Sequence, residues 1–166
     1  MAISIDATVA GEDSNCYVTL IAAEAYFADT LRETTWEAWS DEAKSQALIQ
    51  TTQQIGGLRL KGTESTLTQA LFFPRTIDLD KDGTGSYIIP YIIEDATYEQ
   101  AYWLLKQQDS PDLLNRRELQ AQGVAALSLD GVSETYGSSL LPGFGAVAAS
   151  LLQRYMKRSI TIAPRW

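Results

Sequence analysis

Apolar residues recur at helical spacing in four stretches of this chain and alternate at strand spacing in one. The first helix is predicted from Thr19, a side chain suited to capping, followed by Leu20, Ala23, Phe27 and Leu31 on one face. The second opens at Ser40, with Asp41 and Glu42 placed to meet the helix dipole. Ala47, Leu48, Thr51 and Ile55 form its buried stripe, and Gly56-Gly57 stops it. The third follows Pro90, which suits a first helical turn, and runs to about Gln108 before Ser110-Pro111 breaks it. Its inner face is Ile93, Thr97, Ala101, Leu104 and Leu105. The fourth follows Pro142, with Phe144, Val147, Ala148, Leu151, Leu152 and Tyr155 on one side. The strand signal is "GVAALSLDGVSETY", residues 123 to 136: two short runs flank Asp130-Gly131, a dipeptide that favours tight hairpin turns because both residues tolerate positive φ.

The stretches between are less regular. The first ~16 residues read as extended or loose, with turn formers at Gly11, Asp13, Ser14 and Asn15. "TTW", residues 34 to 36, is β-branched and poorly helical, and Trp36 and Trp39 are expected to anchor the turn into the next helix. "LRLKG" alternates like a short strand, and "LTQALFF" reads as a single helical turn ended by Pro74. The expected fold is mainly α: a small bundle of about four helices with a short β-hairpin and extended N- and C-terminal arms. It is read as one domain over residues 1–166, with a helical body at about 17–157 and a C-terminal arm at 158–166. A chain of 166 residues is long enough for one proper core.

Composition narrows the chemistry more than the fold. The chain has one cysteine, Cys16, and no histidine. Intramolecular disulfides, Cys/His zinc sites and Ser-His-Asp or Cys-His nucleophilic machinery therefore have no residues to work with. Net charge is −8, from 21 acidic and 13 basic residues, the opposite of the balance that lets a protein grip phosphates. The charge is uneven. Arg154, Lys157, Arg158 and Arg165 make the last 13 residues +4 with no acid among them, leaving an acidic body with a basic end. "MAISIDATVAGED" has neither a basic leader nor an apolar core, and no run approaches the ~18 apolar residues of a membrane span. The expectation is a soluble protein made in a reducing cytoplasm.

Four patterns raise candidate chemistry. "DLDKDGTGSYII", residues 78 to 89, begins like a calcium-binding EF-hand loop, with Asp78, Asp80, Asp82 and then Gly83. Its twelfth position, which needs a bidentate glutamate, is Ile89, and Pro90 follows directly. An EF-hand is excluded on that count. A polar turn is preferred, with a looser cation site on the three aspartates left as an alternative. Glu94, Asp95 and Glu99 fall near the start of a predicted helix, where a solvated acidic face is expected rather than an acid/base pair. The glycines of "LPGFGAVA" lack the Gly-Lys-Ser/Thr of a phosphate loop and read as a helix entry. Trp36, Trp39, Tyr91, Tyr98, Tyr102 and Trp103 are of the type that stacks on unpaired bases, but acids rather than basic residues interleave them, which favours core and subunit packing. No enzyme class survives these tests, and no cofactor is expected.

Several segments in order resemble a family of tailed bacteriophages: "SNCYVTLIAAEAYFAD", "SDEAKSQALIQTTQQIGG" after a Trp-x-x-Trp, and "LTQALFFPRT" followed by an Asp/Gly-rich stretch and "IP" before a helix. The family is often labelled DnaT-like "putative single-stranded-DNA-binding protein", and its members look like head–tail connector (adaptor) subunits. The resemblance covers residues 14 to 105 well and 123 to 157 more loosely; its specificity lies in the ordered set. It implies a structural virion protein at the head–tail neck, made in the host bacterial cytoplasm. Such a subunit stands in a ring, commonly a dodecamer, of its own copies beneath the portal protein. The next neck or tail-terminator protein would lie on its tail side, and genomic double-stranded DNA would pass through the lumen during ejection without specific binding; the acidic composition suits a conduit whose like-charged walls repel the phosphates. Arg158, Ile160, Ile162, Arg165 and Trp166 become candidates for docking on the portal. Asp78, Asp80, Asp82 and Gly83 become a loop that touches a neighbouring subunit or neck protein. The alternative is the labelled function, single-stranded-DNA binding. No metal or membrane partner is implied.

Overall fold

The computed structural model describes residues 3–78, 86–110, 126–129, 132–135 and 141–157, the two short stretches at 126–135 as backbone only. The fold is mainly helical, with five helices among the described residues: α1 (Leu20–Ala28), α2 (Glu33–Glu37), α3 (Asp41–Gly56), α4 (Tyr91–Gln108) and α5 (Ala146–Leu152). Two four-residue strands, β1 (Ala126–Leu129) and β2 (Val132–Thr135), pair antiparallel with Leu129 opposite Val132. The expected turn at Asp130-Gly131 lies outside the described residues, as does the C-terminal arm at 158–166.

α3 and α4 form the centre. Ser40 caps α3 by accepting from the Ala43 N–H, a contact of about 1 kcal/mol, and Gly57 closes its far end. Ala47, Leu48, Thr51 and Ile55 all face the core, as their i, i+4, i+8 spacing requires. α4 begins at Tyr91 with Pro90 as its cap, one position earlier than a first-turn proline, and ends at Gln108. It packs on α3 on one side and α5 on another, which is why its buried set is wider than one stripe and includes Gln100.

Three expectations fail locally. Leu31 lies beyond the end of α1 and is fully exposed, because Thr30 turns the chain by bonding back to the Phe27 carbonyl through both its N–H and its hydroxyl. "TTW" is helical after all: it lies within α2, where Trp36 buries its ring by stacking on Phe27 at 4.2 Å between centroids. That burial outweighs the weak propensity of two threonines, worth only tenths of a kcal/mol each. "LTQALFF" forms bends instead of a helical turn. The Gln69 amide donates to the carbonyls of Leu71 and Pro74, satisfying backbone that a helix would have paired internally.

The N-terminal segment is irregular but tied down. Asp6 accepts from the Asn15 and Cys16 N–H groups through its carbonyl, and Gly11 accepts from Ala70 N. Thr52 fixes the end of the segment to α3: its hydroxyl accepts from Tyr17 N and donates to the Leu48 carbonyl. Cys16, Tyr17 and Val18 are buried as a result. At the other end, Lys61 N donates to Tyr155 O and Lys157 N to Arg59 O, so "LRLKG" pairs as a short bridge with the stretch after α5. In α5 itself Val147 is half exposed while Ala148, Ala149 and Leu152 are buried, so the inner face is turned from the expected one. Phe144 and Tyr155 flank this short helix instead of belonging to it.

Candidate functional site

The acids of α4 do not form a solvated face. Glu99 is 6% exposed and takes hydrogen bonds from the Tyr26 hydroxyl (2.8 Å) and from Arg32 Nη1 (2.6 Å), with Arg32 Nη2 bonded to its other oxygen. Arg32 stands just before α2 and also lies over the rings of Tyr102 (5.0 Å) and Phe27 (5.5 Å). One guanidinium thus ties α1, α2 and α4 together. Burial opposes ionisation of Glu99, but the Arg32 and Tyr26 hydrogen bonds outweigh it and hold the carboxyl below its ordinary range. Tyr26 is pushed up to about 12 by burial and by the bond to Glu99. Glu94 and Asp95 are half-buried, and burial raises both. This is a structural ion pair with flanking acids, and among these groups no arrangement of nucleophile and base appears.

A polar seam lies one residue further on. Gln100 is fully buried; its amide nitrogen donates to Gln54 Oε1 (2.9 Å) and Gly143 O (3.0 Å), and its oxygen accepts from Gly145 N (2.8 Å). The seam joins α3, α4 and the entry to α5. Gly143 sits at φ 86°, and a Cβ on Gly145 would come within 2.8 Å of the Trp103 ring. The glycines of "LPGFGAVA" therefore serve a close helix entry.

Between α1, α2 and α3 a cleft of about 660 Å³ opens to solvent. Phe27 and Trp36 are its buried apolar lining, and Ile21, 79% exposed, is at its lip. Glu24, Glu33 and Glu37 give it an acidic rim. Lys44 also lines it, 5% exposed, with Glu24 and Asp41 carboxylates at 3.5 Å and the Trp36 ring at 5.8 Å. The Trp36 indole N–H is buried without an acceptor among the described residues.

The aspartate loop is described only at its base. Asp78 is buried, its carboxylate accepts from Arg75 N at 2.9 Å, and its carbonyl accepts from Ile88 N at 3.1 Å. Burial raises its pKa. Asp78 therefore holds the neck of the loop. Asp80, Asp82 and Gly83, and with them the question of a cation site, lie outside the described residues, as do Arg158, Ile160, Ile162, Arg165 and Trp166. Among the described residues no group of three acidic or cysteine side chains is placed to hold a metal. No described helix is long and apolar enough to cross a membrane.

Sequence reasoning singled out neither Arg32, Lys44 nor Gln100. Lys44 carried a signal, because it falls one turn before Leu48 on the buried stripe of α3. Arg32 and Gln100 carried none, since their partners lie 67 and 45 residues away. Of the six aromatics weighed as base-stacking candidates, Trp36 and Tyr98 are buried, Trp39, Tyr102 and Trp103 are half-buried, and Tyr91 is exposed.

These features define a mainly helical domain tied by buried polar contacts, with an acid-rimmed cleft and no reactive cluster among the described residues. A family model described as "Putative DnaT-like ssDNA binding protein" matches residues 1–161, and the chain belongs to that family. Neither the curated proteins nor the solved structures give a match.

Proposed function

We propose that the chain is a structural assembly subunit: a tailed-bacteriophage head-to-tail connector that stands in a ring of its own copies between portal and tail. The observation that carries this reading is the use of the aromatic residues. Phe27, Trp36, Trp39 and Tyr102 pack on one another across α1, α2 and α4, with centroids 4.2 to 6.1 Å apart. The cations over those rings, Arg32 and Lys44, are bound to carboxylates. A single-strand binder needs such rings free and its cations facing phosphates. The acidic body adds to this, because like-charged walls leave a duplex free to slide.

Single-stranded-DNA binding is the second reading, and the family description favours it over the connector. It would use the basic residues at 154–166 and the exposed Tyr91. One pair of measurements separates the two. The connector reading expects no binding to a fluorescent oligothymidine at low salt, and rings visible by electron microscopy when the protein is mixed with the portal protein of the same virion. Tight oligonucleotide binding that weakens steeply with salt, with no rings on portal, would replace it with the second reading.

A further inference from the structure

We propose that the acid-rimmed cleft between α1, α2 and α3 is the docking site for residues 158–166 of a second copy of this chain. The reading rests on the assembly function above and names one of its contacts. The cleft and the segment are complementary in charge and polarity. The cleft offers Glu24, Glu33 and Glu37 around the apolar Phe27, Trp36 and Ile21. The segment, "RSITIAPRW", carries Arg158 and Arg165 with no acid, and Ile160, Ile162 and Trp166 between and beyond them. Trp36, whose buried indole N–H has no acceptor among the described residues, supplies the ring at the floor of the same cleft.

Chain reach favours a second copy over the chain's own segment. Lys157 is held on the Arg59 carbonyl, beyond the Gly56 end of α3. The α3 residue that lines the cleft is Lys44, about 18 Å up that helix at 1.5 Å per residue. Residue 162 lies five residues beyond Lys157, a span of at most about 18 Å when fully extended. A chain's own Ile160 and Ile162 would use their whole reach along the flank of α3, and only the last residues would enter its cleft. A segment arriving from a neighbour meets no such limit, and both isoleucines can be buried.

The test uses two full-length chains, Ile21→Cys and Ile162→Cys, mixed in equal amounts under mild oxidation. Cys16 is 1% exposed, and burial raises its thiol pKa, so the native cysteine stays out of the reaction. The expected result is a disulfide-linked pair joining the two variants, at several-fold higher yield than with Leu67→Cys, a more exposed position that is absent from the cleft lining. Glu33→Lys with Glu37→Lys on the cleft chain should reduce the yield at least threefold. Arg158→Glu with Arg165→Glu on the other chain should restore it, which a merely misfolded cleft would not allow. A chain carrying both cysteines that closes on itself as a monomer overturns the second-copy assignment. No yield above the Leu67→Cys control overturns the docking altogether, and is the result expected if the segment serves only the portal. The readout needs neither portal nor DNA. Rings on portal without the disulfide therefore sink this contact and spare the connector reading, while the disulfide with tight oligonucleotide binding and no rings does the reverse.

Discussion

Glu99 and Gln100 are neighbours on α4, and each is buried, yet they solve burial in different ways. Gln100 is neutral, fully enclosed, and satisfied by three partners from α3 and the entry to α5. Glu99 is charged and depends on a cation, Arg32, whose own side chain is one-third exposed. A neutral network costs little to bury once every donor and acceptor is paired, and it fixes geometry tightly. An ion pair exposed on one side is looser, because solvent screens it and the desolvation of the carboxylate offsets part of the attraction. The side of α4 facing α3 and α5 is therefore the rigid one. The side facing α1 and α2 is held by a contact that pH and salt can adjust.

The largest expected effect comes from the rigid side. Gln100→Leu leaves the buried Gly145 N without its partner and removes a bond from the part-buried Gly143 O, and should cost about 3 kcal/mol, or roughly 10 °C in Tm. Gly145→Ala should cost a similar amount, because its new Cβ meets the Trp103 ring at 2.8 Å. A loss below about 1 kcal/mol in both, read by urea unfolding, would break the distinction. On the looser side Arg32→Met strands the Glu99 carboxylate and should cost about 2 kcal/mol, less than a fully buried pair because water can reach the site. Its cost should add to that of Gly145→Ala within about 0.5 kcal/mol, since the two share no partner.

Smaller still is the pH dependence. Glu99 is held below its ordinary pKa, so its contribution is complete above the usual carboxylate range and fades as pH falls through its folded value. Glu94 and Asp95 are raised and act in the opposite sense: they favour the fold when protonated, and that contribution fades as pH rises through their folded values. The stability difference between the native chain and Glu99→Gln should therefore shrink between about pH 7 and about pH 3. A difference that grows toward acid would reverse the assignment of Glu99. Least of all, Leu31→Ser and Leu67→Ser should alter stability by under about 0.5 kcal/mol, since both side chains are already in water.

Much of the local structure was legible. The α3 cap at Ser40, its stripe and its glycine stop, and the extent of α4 follow from periodicity and from backbone chemistry that acts within a few residues. Misreadings fell where a distant contact overrode a local preference. Trp36 made a helix of two threonines by stacking on Phe27, and Gln69 replaced a helical turn with side-chain bonds. Glu99 looked like a surface acid because the residue that neutralises it stands 67 positions earlier.

By itself, the sequence determined that the chain is mainly helical, acidic with a basic end, and without histidine or a second cysteine. Each of these depends on residue type or on spacing within a few turns. Only the tertiary structure decided which polar side chains are buried, which aromatics are internal, and that Glu24, Glu33, Glu37 and Trp36 surround one cleft. Those facts depend on residues far apart in the chain meeting in space, and no local period records such a meeting.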